Sequence, residues 1–433
     1  MRRRTLLALV CLGITSALPA QAPTVLDVFQ EFDRLAAQPL WPGFQPRTVA
    51  VEVYDGTRTY LVHHPKPPEG FQPVPGRPGA SVFEGRHDTV RANTGTEVNG
   101  VPTATADLSK AIKSKGAAAA LLVHETFHVY QKAAHPGWTA NEAELFTYPV
   151  DHAGALGQRR LETLALVRAL QAKKEKEARC WARAALETRR TRFAALSEGA
   201  GAYERGIERA EGLAQYVEDR SIRATARLTE ADFPAEEIRQ RGYAVGQAWA
   251  LLLDRFGDWK GAIADTPLDE ALRARVGTGG QRCTLTEAET RAAAARAERE
   301  VAEVLAARGK RKAAFLEAPG WTLEVVAGAE PLWPQGFDPW NVANLGENAV
   351  LHTRWTKVGN GSGSIEVLNR VSLTQGVGPH PLFNGARTLL VTGLPEPKVT
   401  EAEGQVAVEA EGVKGSFRGR TERNGQRIRL VLR

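Results

Sequence analysis

The chain has 433 residues, of which 43% are hydrophobic and 24% charged, a composition typical of a folded globular protein with about three domains. Its formal net charge is +6, but three of the positive charges are Arg2, Arg3 and Arg4, and the segment 1–22 contains no acidic residue. The remaining charge of +3 argues against a nucleic-acid-binding protein. Beyond the N-terminus the chain has no uncharged apolar run of about 20 residues, which excludes a polytopic membrane protein.

The segment 1–22 has the pattern of a secretory signal peptide. Residues 2–4 are arginines, residues 6–14 are mostly apolar, and residues 17–22 are mostly small. This order of a positive, an apolar and a small-residue segment is typical of signals that are removed during export. We therefore predict a secreted or periplasmic protein without a stable membrane span. An uncleaved N-terminal anchor is the alternative.

Residues 23–107 predict an N-terminal α+β region. Residues 25–37 have the apolar spacing of a short helix, and residues 49–53 alternate between apolar and polar side chains, as in a strand. Asp55-Gly56 separates this run from the β-rich residues 59–62, which predicts a hairpin turn.

The rest of the chain predicts a helical part followed by a β-rich part. Residues 108–318 are rich in Ala, Leu, Arg and Glu and lack β-branched runs, which favours helices. Beyond Pro319 short runs predict strands, residues 350–358 and 365–374 among them, and Asn424-Gly425 predicts a hairpin turn. The predicted fold class is α+β multidomain. Its parts are a signal peptide (1–22), an N-terminal α+β region (23–107), a helical domain (108–318) and a C-terminal β domain (319–433).

Two cysteines remain once the signal is removed. Cys11 lies within the signal, which leaves Cys180 and Cys283 without a partner at C-x-x-C spacing. An oxidising compartment permits one disulfide between them, which is our prediction for the exported protein. Two separate buried thiols are the alternative.

The most informative stretch is residues 117–130, which read AAAALLVHETFHVY. His124 and His128 lie four positions apart, so on a helix both imidazoles leave one face, a turn apart, and can bind one zinc ion. Glu125 lies about 100° around the helix from His124, where its carboxylate can act as general base on a water at the metal. The preceding residues are apolar on all sides of the helix, which favours a buried site. Core histidines without a metal are the alternative.

A catalytic zinc needs a third protein ligand, and residues 208–220 offer Glu211. Apolar residues recur around it at spacings of four and three, as in the buried stripe of a helix: Tyr203, Ile207, Ala210, Ala214 and Val217. Glu211 lies one turn from both Ile207 and Ala214, so its carboxylate is expected to point into this stripe, where a charge is costly unless it is paired, and a zinc ion would pair it. Gly212 beside it predicts a close approach of two helices. A border glutamate that reaches water is the alternative.

HETFH followed by EGLAQYVE resembles the zincin metallopeptidase superfamily, in particular its glutamate-ligand (gluzincin) branch. The resemblance covers residues 121–130 and 208–218, about a twentieth of the chain. It implies a mostly helical zincin-like catalytic domain, with His124, His128 and Glu211 as zinc ligands and Glu125 as general base. Two features depart from the branch: Glu211 lies unusually far along the chain from His128, and Gln215 stands where thermolysin-like members carry Asp.

Several site assignments remain open in the sequence. Glu142 and Glu144 follow His128 at a much shorter separation, nearer the usual one, so Glu144 is a rival third ligand, although both glutamates can instead orient an imidazole N–H. An oxyanion donor is also needed, and the candidates are Tyr216, Tyr243 and His152.

These patterns together predict an exported zinc-dependent metallohydrolase, a peptidase, in which Glu125 activates a zinc-bound water. Its expected cofactor is Zn²⁺ and its expected partner is a peptide or protein substrate. The alternative function is an extracytoplasmic binding or cell-envelope interaction protein with a structural or vestigial metal site. A metal site with an open fourth position would favour the enzyme.

Overall fold

The computed structural model describes residues 23–433 except residues 111, 113, 280–282 and 379. The signal peptide predicted over residues 1–22 lies outside the described residues. The chain divides into two compact units. Of the described residues, one unit contains those up to Ala134 together with Val217–Ala224, and the other contains those of His135–Tyr216 and Thr225–Arg433. No described helix combines the length and the hydrophobicity that crossing a bilayer requires.

The first unit is a mixed β-sheet that packs with two helices. Its elements are α1 (Val25–Leu35), β1 (Ala50–Tyr54), β2 (Arg58–Val62), β3 (Gln72–Pro73), β4 (Ala80–Glu84), β5 (Thr94–Val98), β6 (Val101–Asp107) and α2 (Lys115–Ala134). The strand order is β3-β4-β2-β1-β6-β5, in which only the β1–β6 pair is parallel. Asp55 accepts hydrogen bonds from the backbone N–H groups of Thr57 and Arg58 at 2.8 and 2.7 Å, which confirms the predicted hairpin turn.

Helix α2, which carries HExxH, is held on the sheet by its apolar side chains. Phe127 is fully buried and contacts the rings of Trp41 and Phe44, with centroids 5.5 and 5.0 Å apart. A Cβ at Gly95 of β5 would lie 3.2 Å from Val129 Cγ2, so glycine allows this strand to approach α2 closely. Residues 119, 120 and 122–127 are buried, as the sequence predicts for this helix, whereas Ala117 at its start is exposed.

The second unit begins with helices. They are α3 (Ala153–Gln171), α4 (Glu175–Ala194), α5 (Glu198–Ser221), α6 (Ile238–Arg255), α7 (Leu268–Val276) and α8 (Glu287–Leu316). Helix α5 is continuous across the division, since its last turn belongs to the first unit. A disulfide joins Cys180 of α4 to Cys283, with their Cα atoms 5.4 Å apart, and this confirms the predicted bridge.

A β-rich region follows α8 in the same unit. Its elements are β7 (Trp321–Val326), β8 (Trp333–Phe337), β9 (Val342–Gly346), β10 (Ala349–His352), β11 (Trp355–Asn360), β12 (Gly363–Leu368), β13 (Ser372–Gly376), α9 (Pro381–Asn384), β14 (Ala386–Leu394), β15 (Lys398–Ala402), β16 (Gln405–Ala410), β17 (Val413–Asn424) and β18 (Arg427–Leu432). Ten strands follow the order β8-β11-β12-β17-β18-β7-β14-β13-β10-β9, and β16 pairs with both β15 and β17. Leu323, Ile365 and Phe417 lie in its core, each at most 1% exposed.

The prediction of an α+β multidomain chain with a C-terminal β-rich region is confirmed. The Asn424-Gly425 turn is also confirmed, because β17 and β18 pair around it. The predicted strands 350–358 and 365–374 are wrong in extent, since each is two strands. Asn369 has a φ of +55°, a left-handed conformation that a strand cannot continue through, and it lies between β12 and β13.

The expected boundary between residues 107 and 108 falls between β6 and α2, whereas the compact units divide after Ala134. The physical reason for this division is that α2 packs on α1 and β6.

Candidate metal centre

The two histidines of HExxH lie on one face of α2, as their spacing predicts. Their Nε2 atoms are 3.0 Å apart and their ring centroids 4.7 Å apart. His124 is 5% exposed, the adjacent Glu125 is 4% exposed, and His128 is half-buried. The two imidazoles therefore present a pair of nitrogens to one point at the edge of the buried part of the helix.

The other ring nitrogen of each histidine is held by a polar side chain. His124 Nδ1 lies 3.0 Å from Glu218 Oε2, and His128 Nδ1 lies 2.8 Å from the Oε1 of buried Gln131. Since a carboxylate only accepts hydrogen bonds, a His124 with its proton on Nδ1 would pair with Glu218 and keep the Nε2 lone pair for a metal. With the same tautomer at His128, the two Nε2 lone pairs would lie 3.0 Å apart, an arrangement that a cation between them would stabilise.

Helix α5 contributes Glu211. This residue lies two turns before Glu218, and seven positions along an α-helix return to nearly the same face. One ligand atom each of His124, His128 and Glu211 lie within 4.8 Å of one another. A search of the described residues for three or more histidine, cysteine or acidic side chains close enough to hold one metal ion gives this group.

The carboxylate of Glu211 also binds a side chain of α6. Arg239 donates from Nη2 to Glu211 Oε1 at 2.7 Å and from Nη1 to the Tyr243 hydroxyl at 2.5 Å. Burial and the negative charge of Glu211 raise the pKa of Tyr243 above its usual value. Burial by itself would lower the pKa of Arg239, but the charge of Glu211 raises it. The phenol therefore keeps its proton and Arg239 its charge beside Glu211.

A close crossing of α5 and α6 makes this contact possible. A Cβ at Gly212 would lie 2.5 Å from the Cα of Gly246, and a Cβ at Gly246 would lie 2.1 Å from the carbonyl oxygen of Glu208. The close approach predicted at Gly212 is thus confirmed. Arg239 and Tyr243 lie about two turns and one turn before Gly246, so the crossing brings them to the part of α5 that carries Glu211.

The rival ligands, Glu142 and Glu144, make other contacts. Glu142 binds the Arg239 Nε at 3.1 Å and accepts a hydrogen bond from Tyr203 at 3.1 Å. Glu144 lies against the first turn of α5, where a Cβ at Gly199 would be 2.3 Å from its Oε2. Neither residue belongs to the three-ligand group found among the described residues. Glu142 instead reaches Glu211 through Arg239.

The three candidate oxyanion donors occupy different positions. Tyr216 is 1% exposed, and its hydroxyl donates to Asp254 Oδ2. His152 caps the N-terminus of α3, where its Nδ1 accepts a hydrogen bond from Ala155 N at 3.0 Å. Tyr243 is the candidate whose contacts include the arginine bound to Glu211.

Sequence reasoning missed Glu218, Gln131 and Arg239. A signal existed for Glu218, because α5 carries a buried or half-buried polar row at spacings of four and three: Glu204, Glu208, Glu211, Gln215 and Glu218. Gln131 lies one turn after His128, which is the position from which a side chain can reach an imidazole on the same face. Arg239 had no local signal, since only the helix crossing brings it to Glu211.

No family model matches this chain, and neither the curated proteins nor the solved structures include a significant match. The resemblance to the gluzincin branch therefore depends on the two motifs and on the geometry that surrounds them.

Proposed function

We propose that this protein is an exported zinc-dependent metallohydrolase that acts as a peptidase, with a zincin-like arrangement of the gluzincin type. The observation that carries the proposal is the group of His124, His128 and Glu211, whose ligand atoms lie within 4.8 Å of one another. Two imidazoles and one carboxylate are the protein ligands found in one class of catalytic zinc sites, which keep a fourth position for water or substrate.

The outer contacts support zinc as the occupant. Histidines that bind a metal usually donate their second ring N–H to a carboxylate or amide oxygen, and Glu218 and Gln131 provide these acceptors. Nitrogen-rich ligand sets suit zinc, whereas magnesium and calcium prefer oxygen ligands alone. The donor set therefore fits zinc.

In this proposal, the metal and two side chains have separate roles in hydrolysis. Bound zinc would supply a Lewis acid that lowers the pKa of water and polarises a carbonyl group. Glu125, adjacent to His124 on α2, would accept the proton of the attacking water and pass it to the leaving amine. Tyr243 would donate a hydrogen bond to the carbonyl oxygen of a peptide substrate as negative charge develops there.

Export is supported by the Cys180–Cys283 disulfide, since such bridges persist in oxidising compartments and are rare in the cytosol. This is in keeping with the signal peptide predicted over residues 1–22.

The deciding experiment separates metal binding from hydrolysis. We expect one zinc per chain by mass spectrometry in wild type and in Glu125→Gln, because Glu125 is not a ligand. We expect hydrolysis of a mixed peptide library by wild type and a loss of at least 100-fold in Glu125→Gln. Glu144→Gln is the matched control, with both zinc and activity retained. Zinc without hydrolysis in wild type would favour a binding protein, and full activity in Glu125→Gln would exclude the mechanism.

A further inference from the structure

A pocket of about 580 Å³ lies in the second unit, beside the arginine that binds Glu211. Apolar side chains of the segment after α2 form one side, among them Leu145 and Phe146, and Val342 of β9 forms another. A hydrogen bond connects the two sides, since Asn344 Nδ2 donates to the carbonyl oxygen of Phe146 at 3.2 Å. This volume is within the range of pockets that bind small molecules or single side chains.

The pocket reaches the proposed catalytic site through one side chain. Arg239 lines it and donates to Glu211 Oε1 at 2.7 Å. Glu142, which also lines the pocket, is already paired with Arg239 and Tyr203. A group bound in the pocket would therefore lie one residue away from the third zinc ligand.

Helix α8 gives the pocket a cationic side. Arg308 and Arg311, one turn apart, both line it. Arg308 is 5% exposed and donates from Nη1 to Asp151 at 2.6 Å, but its buried Nε has no acceptor among the described residues. Arg311 is exposed, as is Glu236 at the same pocket. A buried guanidinium with an unfilled donor favours an anionic acceptor, and carboxylates fit its geometry.

We propose that this pocket, the arginine pocket, binds a substrate group in which an apolar side chain adjoins a carboxylate. The side chain would pack between Phe146 and Val342, and the carboxylate would bind Arg308 and Arg311. The inference rests on the proposed function, which it deepens by naming a substrate class. The carboxylate has two possible sources, the C-terminus of a peptide and an acidic side chain next to the apolar residue.

The test measures binding in chelator-treated protein, so that its outcome does not depend on zinc or on hydrolysis. The probes are N-acetyl-phenylalanine, its neutral amide, and N-acetyl-Phe-Glu-amide, each titrated by ligand-detected NMR. We expect the acid to bind at least ten-fold more tightly than the amide. If N-acetyl-Phe-Glu-amide binds as tightly as the acid, the pocket accepts acidic side chains. If it binds only as weakly as the amide, the pocket is specific for C-termini.

Three variants locate the binding. Arg311→Gln, at an exposed position that folding tolerates, should reduce the preference for the acid to three-fold or less. Val342→Phe should weaken all three probes about ten-fold by filling the pocket. Arg299→Gln, on the same helix outside the pocket, should change nothing. Equal affinities of wild type for the acid and the amide, or equal effects of Arg311→Gln and Arg299→Gln, would overturn the proposal. Failure of the proposed function would appear separately, as a lack of bound zinc or of hydrolysis.

Discussion

Single side chains decide which atoms of the candidate centre face one another. Glu218 and Gln131 hold the Nδ1 atoms of the two histidines, so the Nε2 atoms of both rings converge. Glu211 is held by Arg239, which in turn binds Glu142. Contacts of this kind limit the rotation of the ligand side chains and reduce the rearrangement that metal binding would require.

The assignment of the third ligand predicts opposite results for two glutamates. Glu211→Gln removes a charged oxygen from the three-ligand group, so in a chelator competition assay zinc affinity should fall by more than the roughly 100-fold that loss of a residue behind a ligand can cost. Glu144→Gln changes a carboxylate that lies against the start of α5 and should leave zinc affinity within about three-fold of wild type. Retention of zinc by Glu211→Gln together with its loss in Glu144→Gln would show that the shorter spacing supplies the ligand.

Two helices, α5 and α6, set the position of the third ligand. The polar row of α5 contains both a buried ion pair and a candidate metal ligand. Glu208 binds Arg189 through both carboxylate oxygens, at 3.0 and 2.7 Å, and Glu211 belongs to the three-ligand group. Buried pairs of this kind contribute modestly to stability, but breaking one leaves an uncompensated charge. The Glu208–Arg189 pair therefore resists rotation of α5 about its axis.

The helix crossing predicts that Gly246→Ala is destabilising. Its Cβ would lie 2.1 Å from the carbonyl oxygen of Glu208 and 2.7 Å from the Cα of Gly212, so the helices must separate. We expect a loss of about 1–3 kcal/mol in the free energy of unfolding, measured with urea, and a weaker zinc affinity.

The control for this variant is Gly309→Ala in α8, where an added Cβ meets nothing within 4 Å. Alanine there should raise the free energy of unfolding by about 0.5–1 kcal/mol, because it restricts the unfolded chain. Equal stability changes in the two variants would contradict the role of the crossing.

Across the chain as a whole, the disulfide and the β-rich region stabilise the second unit. The bridge joins cysteines 103 positions apart, and the β-rich region contains two fully buried histidines, His352 and His380. Both features have consequences that solution measurements can detect.

The disulfide predicts a large loss of stability on its removal. Cys180→Ser combined with Cys283→Ser should lower the free energy of unfolding by about 4–5 kcal/mol, because the closed loop restricts the unfolded chain. Thiol labelling of the denatured, unreduced wild type provides the check on pairing. Two labelled thiols per chain would disprove the bridge.

The buried histidines predict a pH-dependent stability. Burial lowers the pKa of His352 to about 4, and His380 nearby has its own pKa lowered to about 4 by burial. Between pH 6.5 and 4 the unfolded state binds more protons at these groups, so their contribution to stability falls as the pH falls. At pH 5 this loss is about 2 kcal/mol for His352.

The comparison that isolates His352 uses His352→Gln, which keeps a donor for Thr374, whose Oγ1 lies 2.9 Å from His352 Nε2. From pH 7.5 to pH 5, wild type should lose about 2 kcal/mol more free energy of unfolding than the variant. Parallel pH profiles of the two proteins in urea unfolding would contradict this account.

The sequence determined the features that depend on spacing within one element. His124 and His128 share a helix face because four positions complete about one turn, and Asp55-Gly56 forms a hairpin because its turn chemistry is local. The fold class followed from the change in composition along the chain, and Gly212 indicated a close approach without identifying the partner helix.

Only the tertiary structure decided which distant residues meet. Glu211 lies far along the chain from His128, and Arg239 follows Glu211 on a different helix, so no local pattern relates them. Their approach depends on how α5 crosses α6 at Gly212 and Gly246, a packing outcome that involves both helices at once. The physical reason is that spacing within a helix is set by backbone geometry, whereas contact between helices is set by the shapes of both surfaces.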